Sequence, residues 1–237
     1  MQVTEVTESF SLDSVVPFFQ PIMDLNHNAV WSYECLARLM TVEERACLPS
    51  EFLYLVERQD LVAEFTQTIF NRSANYFRDI NMAWNINVSL SDISDTTIHQ
   101  FLLNALRSYP NPQRISVEIT AQNALTEVNK FSAFSDICQQ LGVKIVIDHF
   151  DQSTSDLKAI LALPISAVKV SGNFLEQATK DVESANLAKD LINQCAENNI
   201  VVVAEHIEQK STLDAVQSLG VQYAQGFYFS QPKASAE

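Results

Sequence analysis

The feature that most constrains this chain is its alternation of short, apolar, β-rich runs with amphipathic helical stripes. The runs lie at Val15–Met23, Val30–Leu39, Trp84–Leu90, Ile115–Thr120, Val143–Phe150, Ser166–Ser171, Ile200–Ile207 and Tyr223–Ser230, eight in all. Between them Leu61, Phe65, Ile69, Ser73 and Phe77 recur every fourth residue. Leu102, Ala105, Leu106 and Tyr109 form a second stripe, and Leu187, Leu191 and Cys195 a third that continues from Val182. Spacings of three to four place each set on one face of a helix. Strand–helix alternation implies parallel strands joined by crossover helices, and eight such strands suggest a closed (β/α)8 barrel. A doubly wound open sheet is the alternative, but no G-x-G-x-x-G follows the first run. The link Asp24–Ala29 is too short for a crossover helix, so the first two strands are expected to form an antiparallel hairpin. Asn173, Ser153 and Ser155 are read as helix N-caps. Gly142 and Gly220 are placed where helices end and the chain turns into a strand.

At 237 residues, without repeats or a Pro/Gly/Ser linker, the chain is expected to be one domain over residues 1–237. Fifteen Lys and Arg against 29 Asp and Glu leave a net charge of −14. A field of that sign repels duplex DNA and RNA, but tolerates a small anionic ligand that brings metal ions or meets a few placed bases. The longest apolar runs fall well short of the roughly 20 residues of a membrane span. The N-terminus lacks the basic-then-apolar signature of a signal peptide. Cys35, Cys47, Cys138 and Cys195 form no C-x-x-C pair and are read as free thiols, which fits a cytoplasmic protein.

Polar residues interrupt nearly every apolar run: Glu34, Asn85 and Asn87, Glu118, Asp148, Lys169, Glu205 and Gln225. In a barrel of this kind the active site lies at the C-terminal ends of the strands, where most of these residues fall. Charges inside strands are costly unless paired or bound to a metal. Three carboxylates and an amide form a hard, oxygen-rich set suited to Mg²⁺ or Mn²⁺. Phosphodiester hydrolysis is a reaction such sites run.

The motifs around these residues resemble those of the EAL domain, the cyclic di-GMP phosphodiesterase family. Phe19-Gln20-Pro21-Ile22 resembles its (F/Y)-Q-P-I opening, and Glu34-Cys35-Leu36-Ala37-Arg38 its E-A-L-L-R signature. Asn87-Val88-Ser89 resembles N-L-S, Glu118-Ile119-Thr120 E-L-T, and Asp148-His149-Phe150 D-D-F. Leu163-Pro164 with Val168-Lys169-Val170 is similar to L-P with L-K-I. Val203-Ala204-Glu205 with Glu208 is similar to V-A-E-G-V-E, and Gln225-Gly226-Phe227 with Phe229-Ser230 and Pro232 to Q-G-Y-x-F-(S/G)-x-P. The likeness runs from about Phe18 to Pro232 and implies an EAL-type modified TIM barrel with an antiparallel first strand. It implies Glu34, Asn87, Glu118 and Asp148 as ligands of a first metal, Lys169 beside the attacking water, and Glu205 as general base. Arg38 would contact a phosphate, with Gln20, Gln225 and Glu208 completing the substrate site. The partners implied are cyclic di-GMP, a regulatory protein and a second copy of the chain.

The departures from the pattern cluster on the side of a second metal. His149 replaces the second Asp of D-D-F, Ala121 the second Glu of E-L-T-E, His206 the Gly of A-E-G-V-E, and Ser171 the Asp after L-K-I. The glycine-rich loop after D-D-F has become Phe150-Asp151-Gln152-Ser153-Thr154-Ser155-Asp156. With both glycines gone, a loop needing positive φ should take another path. His149 either serves as an imidazole ligand, with His206 beside it, or is a neutral, hydrogen-bonded replacement for a group no longer needed. The expectation is a degenerate domain that binds nucleotide or protein with weak or absent hydrolysis. The alternative is an active phosphodiesterase that opens cyclic di-GMP to pGpG.

Overall fold

The computed structural model describes residues 6–7, 10–150 and 156–236. Its strands are β1 (Val15–Asp24), β2 (Ala29–Met40), β3 (Ala46–Cys47), β4 (Ala83–Asn87), β5 (Ile115–Thr120), β6 (Lys144–Phe150), β7 (Ala167–Ser171), β8 (Val201–Glu205) and β9 (Tyr223–Gln225). Its helices are α1 (Pro49–Arg58), α2 (Val62–Phe77), α3 (Leu90–Ser94), α4 (Thr96–Ser108), α5 (Ala121–Thr126), α6 (Val128–Gln140), α7 (Leu157–Leu161), α8 (Gly172–Gln177), α9 (Val182–Glu197) and α10 (Lys210–Ser218).

The short Asp24–Ala29 connection makes β1 and β2 a hairpin, paired antiparallel from Val15↔Leu39 to Asp24↔Ala29. From β2 the sheet continues in parallel through β4, β5, β6, β7, β8 and β9. It closes where β9 meets β1 antiparallel at Ile22↔Gln225. Eight strands thus form the expected closed mixed barrel; β3, absent from the sequence reading, is a two-residue strand on the flank of β2. Phe19 exchanges both backbone hydrogen bonds with Lys233. Pro17 and Pro21 lie two residues either side of it, so their nitrogens face the same side as the Phe19 N–H, away from β2 and outside the Ile22–Asp24 stretch that pairs with β9, and the missing N–H groups cost no ladder bond.

Apolar side chains between barrel and helices form a continuous core. Trp84 of β4 stacks on Phe77 of α2 with ring centroids 5.9 Å apart, and both are fully buried. The stripe expected on α9 holds only in part. Ala188, Leu191 and Cys195 face the core, whereas Val182 and Leu187 are exposed.

Several expected boundaries move for local reasons. The third run stops at Asn87 because Ser89 caps α3: the Ser89 N–H donates to Asp92 Oδ2 (2.7 Å) and the Asp92 N–H to Ser89 Oγ (3.3 Å). The last run yields only Tyr223–Gln225, since the Phe229 and Ser230 N–H groups fold back onto the Gly226 carbonyl. A Cβ on Gly226 would meet the Ile207 backbone, so only glycine lets these two segments touch. Asn173 is not the cap of α8, which begins one residue earlier, after Ser171. Ser153, Ser155 and the rebuilt loop at 151–155 lie outside the described residues. Asp156 caps α7 by accepting from the Lys158 and Ala159 N–H groups. Gly142 and Gly220 do end helices, at φ of 78° and 80°. No helix among the described residues is long and apolar enough to cross a membrane.

Candidate functional site

Because β4 through β9 run parallel, their C-terminal ends share one rim of the barrel, and a cleft opens there. Its lining includes Gln20, Glu34, Arg38, Asp148, His149, Lys169, Glu205, Glu208 and Gln225. Asn87 and Glu118 are not at its surface: Glu118 is fully buried beneath it, and Asn87 is exposed beside it.

Lys169 organises the floor. Its side chain is 1 % exposed, and Nζ donates to Glu34 Oε2 (2.8 Å) and Glu118 Oε2 (2.6 Å). Burial opposes its charge, but the two carboxylates win and hold the ammonium well above its usual pKa. Burial likewise works against Glu34, yet Lys169 holds that carboxyl below its usual value. Glu118, deeper and facing Glu34, is pushed up to about 8, first by burial and then by that neighbour.

Amides satisfy the remaining oxygens. Gln225 Nε2 donates to Glu34 Oε2 (2.7 Å) and Gln20 Oε1 (3.1 Å), and Gln20 Nε2 donates to the Ser230 carbonyl (3.1 Å). Asn87 Nδ2 donates to Glu34 Oε1 (3.0 Å) and Asn85 Nδ2 to Glu118 Oε1 (2.5 Å). Ser32 Oγ in turn donates to Asn85 Oδ1 (2.7 Å). Sequence reading passed over Ser32, although the two-residue strand period places it on the same face as Glu34. Arg38 lies four residues beyond Glu34 on that face, held by a hydrogen bond to the Ala37 carbonyl (2.7 Å). Leu36, Phe227 and Pro232 also line the cleft and had no charge to mark them.

The opposite wall is built from two consecutive pairs, Asp148-His149 and Glu205-His206. Neighbours in a strand normally point to opposite faces. Here His149 has φ 52° and His206 φ 59°, and the β6–β7 register shifts between Ile147 and Phe150. The left-handed turn at each strand end brings both members of each pair into the cleft. His206 keeps the positive φ that the family's glycine at this position would permit without strain; histidine tolerates it better than most side chains.

His149 Nδ1 lies 2.6 Å from Asp148 Oδ2, and that contact raises the imidazole pKa to about 9. Asp148 is held below its usual value: burial opposes ionisation, and the His149 hydrogen bond overcomes it. Its Oδ1 is buried and has no hydrogen-bond donor among the described residues. Glu205 is raised, by burial first and by Asp148 second. One ligand atom each from Asp148, His149 and Glu205 lie within 4.8 Å of one another. An undonated, buried carboxylate oxygen beside a second carboxylate that resists ionising fits a divalent cation.

The profile of the EAL domain matches residues 3–232. A probable cyclic di-GMP phosphodiesterase of Escherichia coli (strain K12), PdeG, is 26% identical over 225 residues, which is 92% of this chain and 44% of that protein. The signaling protein YkoW of Bacillus subtilis (strain 168) is 24% identical, over 95% of this chain and 29% of its own length. The chain therefore spans less than half the length of these curated relatives. The EAL domain of FimX from Pseudomonas aeruginosa, solved bound to c-di-GMP, superposes with a TM-score of 0.85 at 20% identity, covering 100% of this chain and 98% of that one. An EAL domain protein of Listeria monocytogenes superposes at 0.87 with 23% identity, covering 98% and 93%. At such identities the superpositions show the fold alone, but the profile spans nearly the whole sequence: this chain belongs to the EAL domain family.

Proposed function

We propose that this chain is a degenerate EAL domain acting in cyclic di-GMP signalling, which binds the dinucleotide in the strand-end cleft and hydrolyses it weakly or not at all. The observation that carries this reading is the 2.6 Å contact between His149 and Asp148. Where the family pattern has a second Asp, this chain has an imidazole that occupies an Asp148 oxygen and removes a negative charge. A two-metal site clamps both the attacking and the leaving oxygen, so weakening one half slows hydrolysis while the ligand cradle survives.

In this reading Arg38 pairs with a phosphate of the dinucleotide, and Gln20, Gln225 and Glu208 frame it. Glu34, Asn87, Glu118 and Asp148 are the first cation's ligands that the family pattern suggests; Asp148 with Glu205 and His149 is the set whose atoms converge best. A bound Mg²⁺ or Mn²⁺ would supply charge neutralisation at the phosphate and a more acidic water. Lys169 orients the nucleophile's surroundings, and Glu205, with its raised proton affinity, accepts the proton. That raised affinity favours the alternative, an active phosphodiesterase forming pGpG.

The names of the relatives support the nucleotide, since PdeG is a probable cyclic di-GMP phosphodiesterase and the FimX domain was solved with c-di-GMP. We extend the proposal to one domain over 1–237, a cytoplasmic location and a regulatory protein or second copy as partner. The four buried, unbridged cysteines support the location.

The test is calorimetric titration of cyclic di-GMP in Ca²⁺, then chromatography of the nucleotide after incubation with Mg²⁺ or Mn²⁺. Binding with little pGpG is expected, along with faster turnover in His149→Asp. Rapid pGpG formation that disappears in Glu34→Ala would replace this reading with the enzyme. Absence of binding would leave only a protein-interaction role.

A further inference from the structure

The two histidines that depart from the family pattern stand side by side on the rim of the cleft. Their rings are 6.2 Å apart between centroids, and both side chains are more than half exposed. His149 is fixed rather than free. Its Nδ1 faces the Asp148 carboxylate at 2.6 Å, so a cation that displaced the shared proton would meet imidazole and carboxylate together. The same Asp148 presents a buried oxygen, Oδ1, that no donor among the described residues reaches. Its side chain is 7 % exposed, so it is more than nine-tenths buried and is part of the cleft wall. Glu205 supplies the third ligand within the 4.8 Å group, and His206 Nδ1 lies 3.7 Å from Glu205 Oε1.

We infer that Asp148, His149 and Glu205, with His206 at the rim, form a mixed carboxylate–imidazole site that prefers transition metals such as Zn²⁺ or Co²⁺ over Mg²⁺. Mg²⁺ demands near-octahedral oxygen coordination and keeps its waters, whereas imidazole suits the later first-row metals, whose affinity rises along the Irving–Williams order. The departure from D-D-F and A-E-G then changes the metal rather than merely removing one. The left-handed backbone at 149 and 206 makes this feasible, because an ordinary strand would have sent both imidazoles to the outside of the barrel.

This inference rests on the cleft being a cation site, as proposed above, and its test uses no nucleotide. The whole chain, freed of metal by chelation, is titrated with Zn²⁺ alone and Mg²⁺ alone by calorimetry, and Co²⁺ binding is followed by its visible d–d spectrum. Zn²⁺ should bind at least about tenfold more tightly than Mg²⁺, and His149→Ala should weaken Zn²⁺ by about tenfold or more while leaving Mg²⁺ nearly unchanged. His149→Asp should move the preference back toward Mg²⁺. His27→Ala, which removes an exposed imidazole at the β1–β2 turn, should change nothing, and it controls for adventitious binding. Equal affinity for the two metals, or Zn²⁺ binding indifferent to His149→Ala, overturns the inference while leaving the nucleotide reading intact. If neither metal binds, and cyclic di-GMP does not bind in the separate titration, the cation-site reading itself fails.

Discussion

At the scale of single residues, Lys169 decides most. It lies between two carboxylates in a nearly dry interior, and no other cation touches either of them among the described contacts. Such an arrangement adds little net stability, but breaking it leaves charge uncompensated. Lys169→Met should therefore lower unfolding free energy by about 3–5 kcal/mol in a urea titration. A loss under about 1 kcal/mol would mean that Glu34 and Glu118 relieve themselves by sharing a proton. Glu118, already pushed up to about 8, would be the one to take it. The left-handed histidines work differently, since their cost is paid in backbone strain at the place where they act.

At the scale of elements, the start of α1 shows how one side chain sets a boundary. Leu48 precedes Pro49 and has no side-chain acceptor, so the reciprocal half of a capping box is missing. Glu51 supplies the other half: Oε2 accepts from the Leu48 N–H (2.7 Å), and Oε1 accepts from Arg45 (2.9 Å). These bonds, Arg45 first, hold the Glu51 carboxyl below its usual 4.5. A depressed carboxylate contributes stability above the unfolded value and loses it as pH falls through the folded one. Glu51→Ala should thus cost about 0.5–1.5 kcal/mol at neutral pH, from the lost hydrogen bonds. The melting curves of variant and parent should converge as pH drops below 4.5. A gap that persists undiminished in acid would assign the effect to packing instead.

At the scale of the whole molecule, closure and charge oppose each other. The β1–β2 hairpin and the β1–β9 contact leave no long open edge in the barrel, which removes a route to strand-to-strand aggregation. The chain nevertheless carries a net charge of −14, and self-repulsion works against compactness. Raising ionic strength from about 0.01 M to about 0.15 M shortens the Debye length from ~30 Å to ~8 Å, so stability should rise. A denaturation midpoint that falls over this range would show that attractive surface pairs, not repulsion, dominate.

The order of elements was legible in the sequence because apolar period and turn residues are local properties. Eight runs, their hairpin start and the glycine-ended helices at Gly142 and Gly220 follow from neighbours a few positions apart. The polar residues of the strands, from Glu34 to Gln225, were visible for the same reason: each breaks an apolar run. Which of them meet was not local. Lys169 joins Glu34 across 135 positions and Gln225 reaches Glu34 across 191, contacts set only by the closing of the barrel. The facing pair of His149 and His206 depends on two backbone turns of the wrong hand for a strand, and nothing in side-chain periodicity announces a positive φ at a residue other than glycine. Local chemistry determined what the chain is built from; closure of the sheet and strain at two strand ends decided what its cleft holds together.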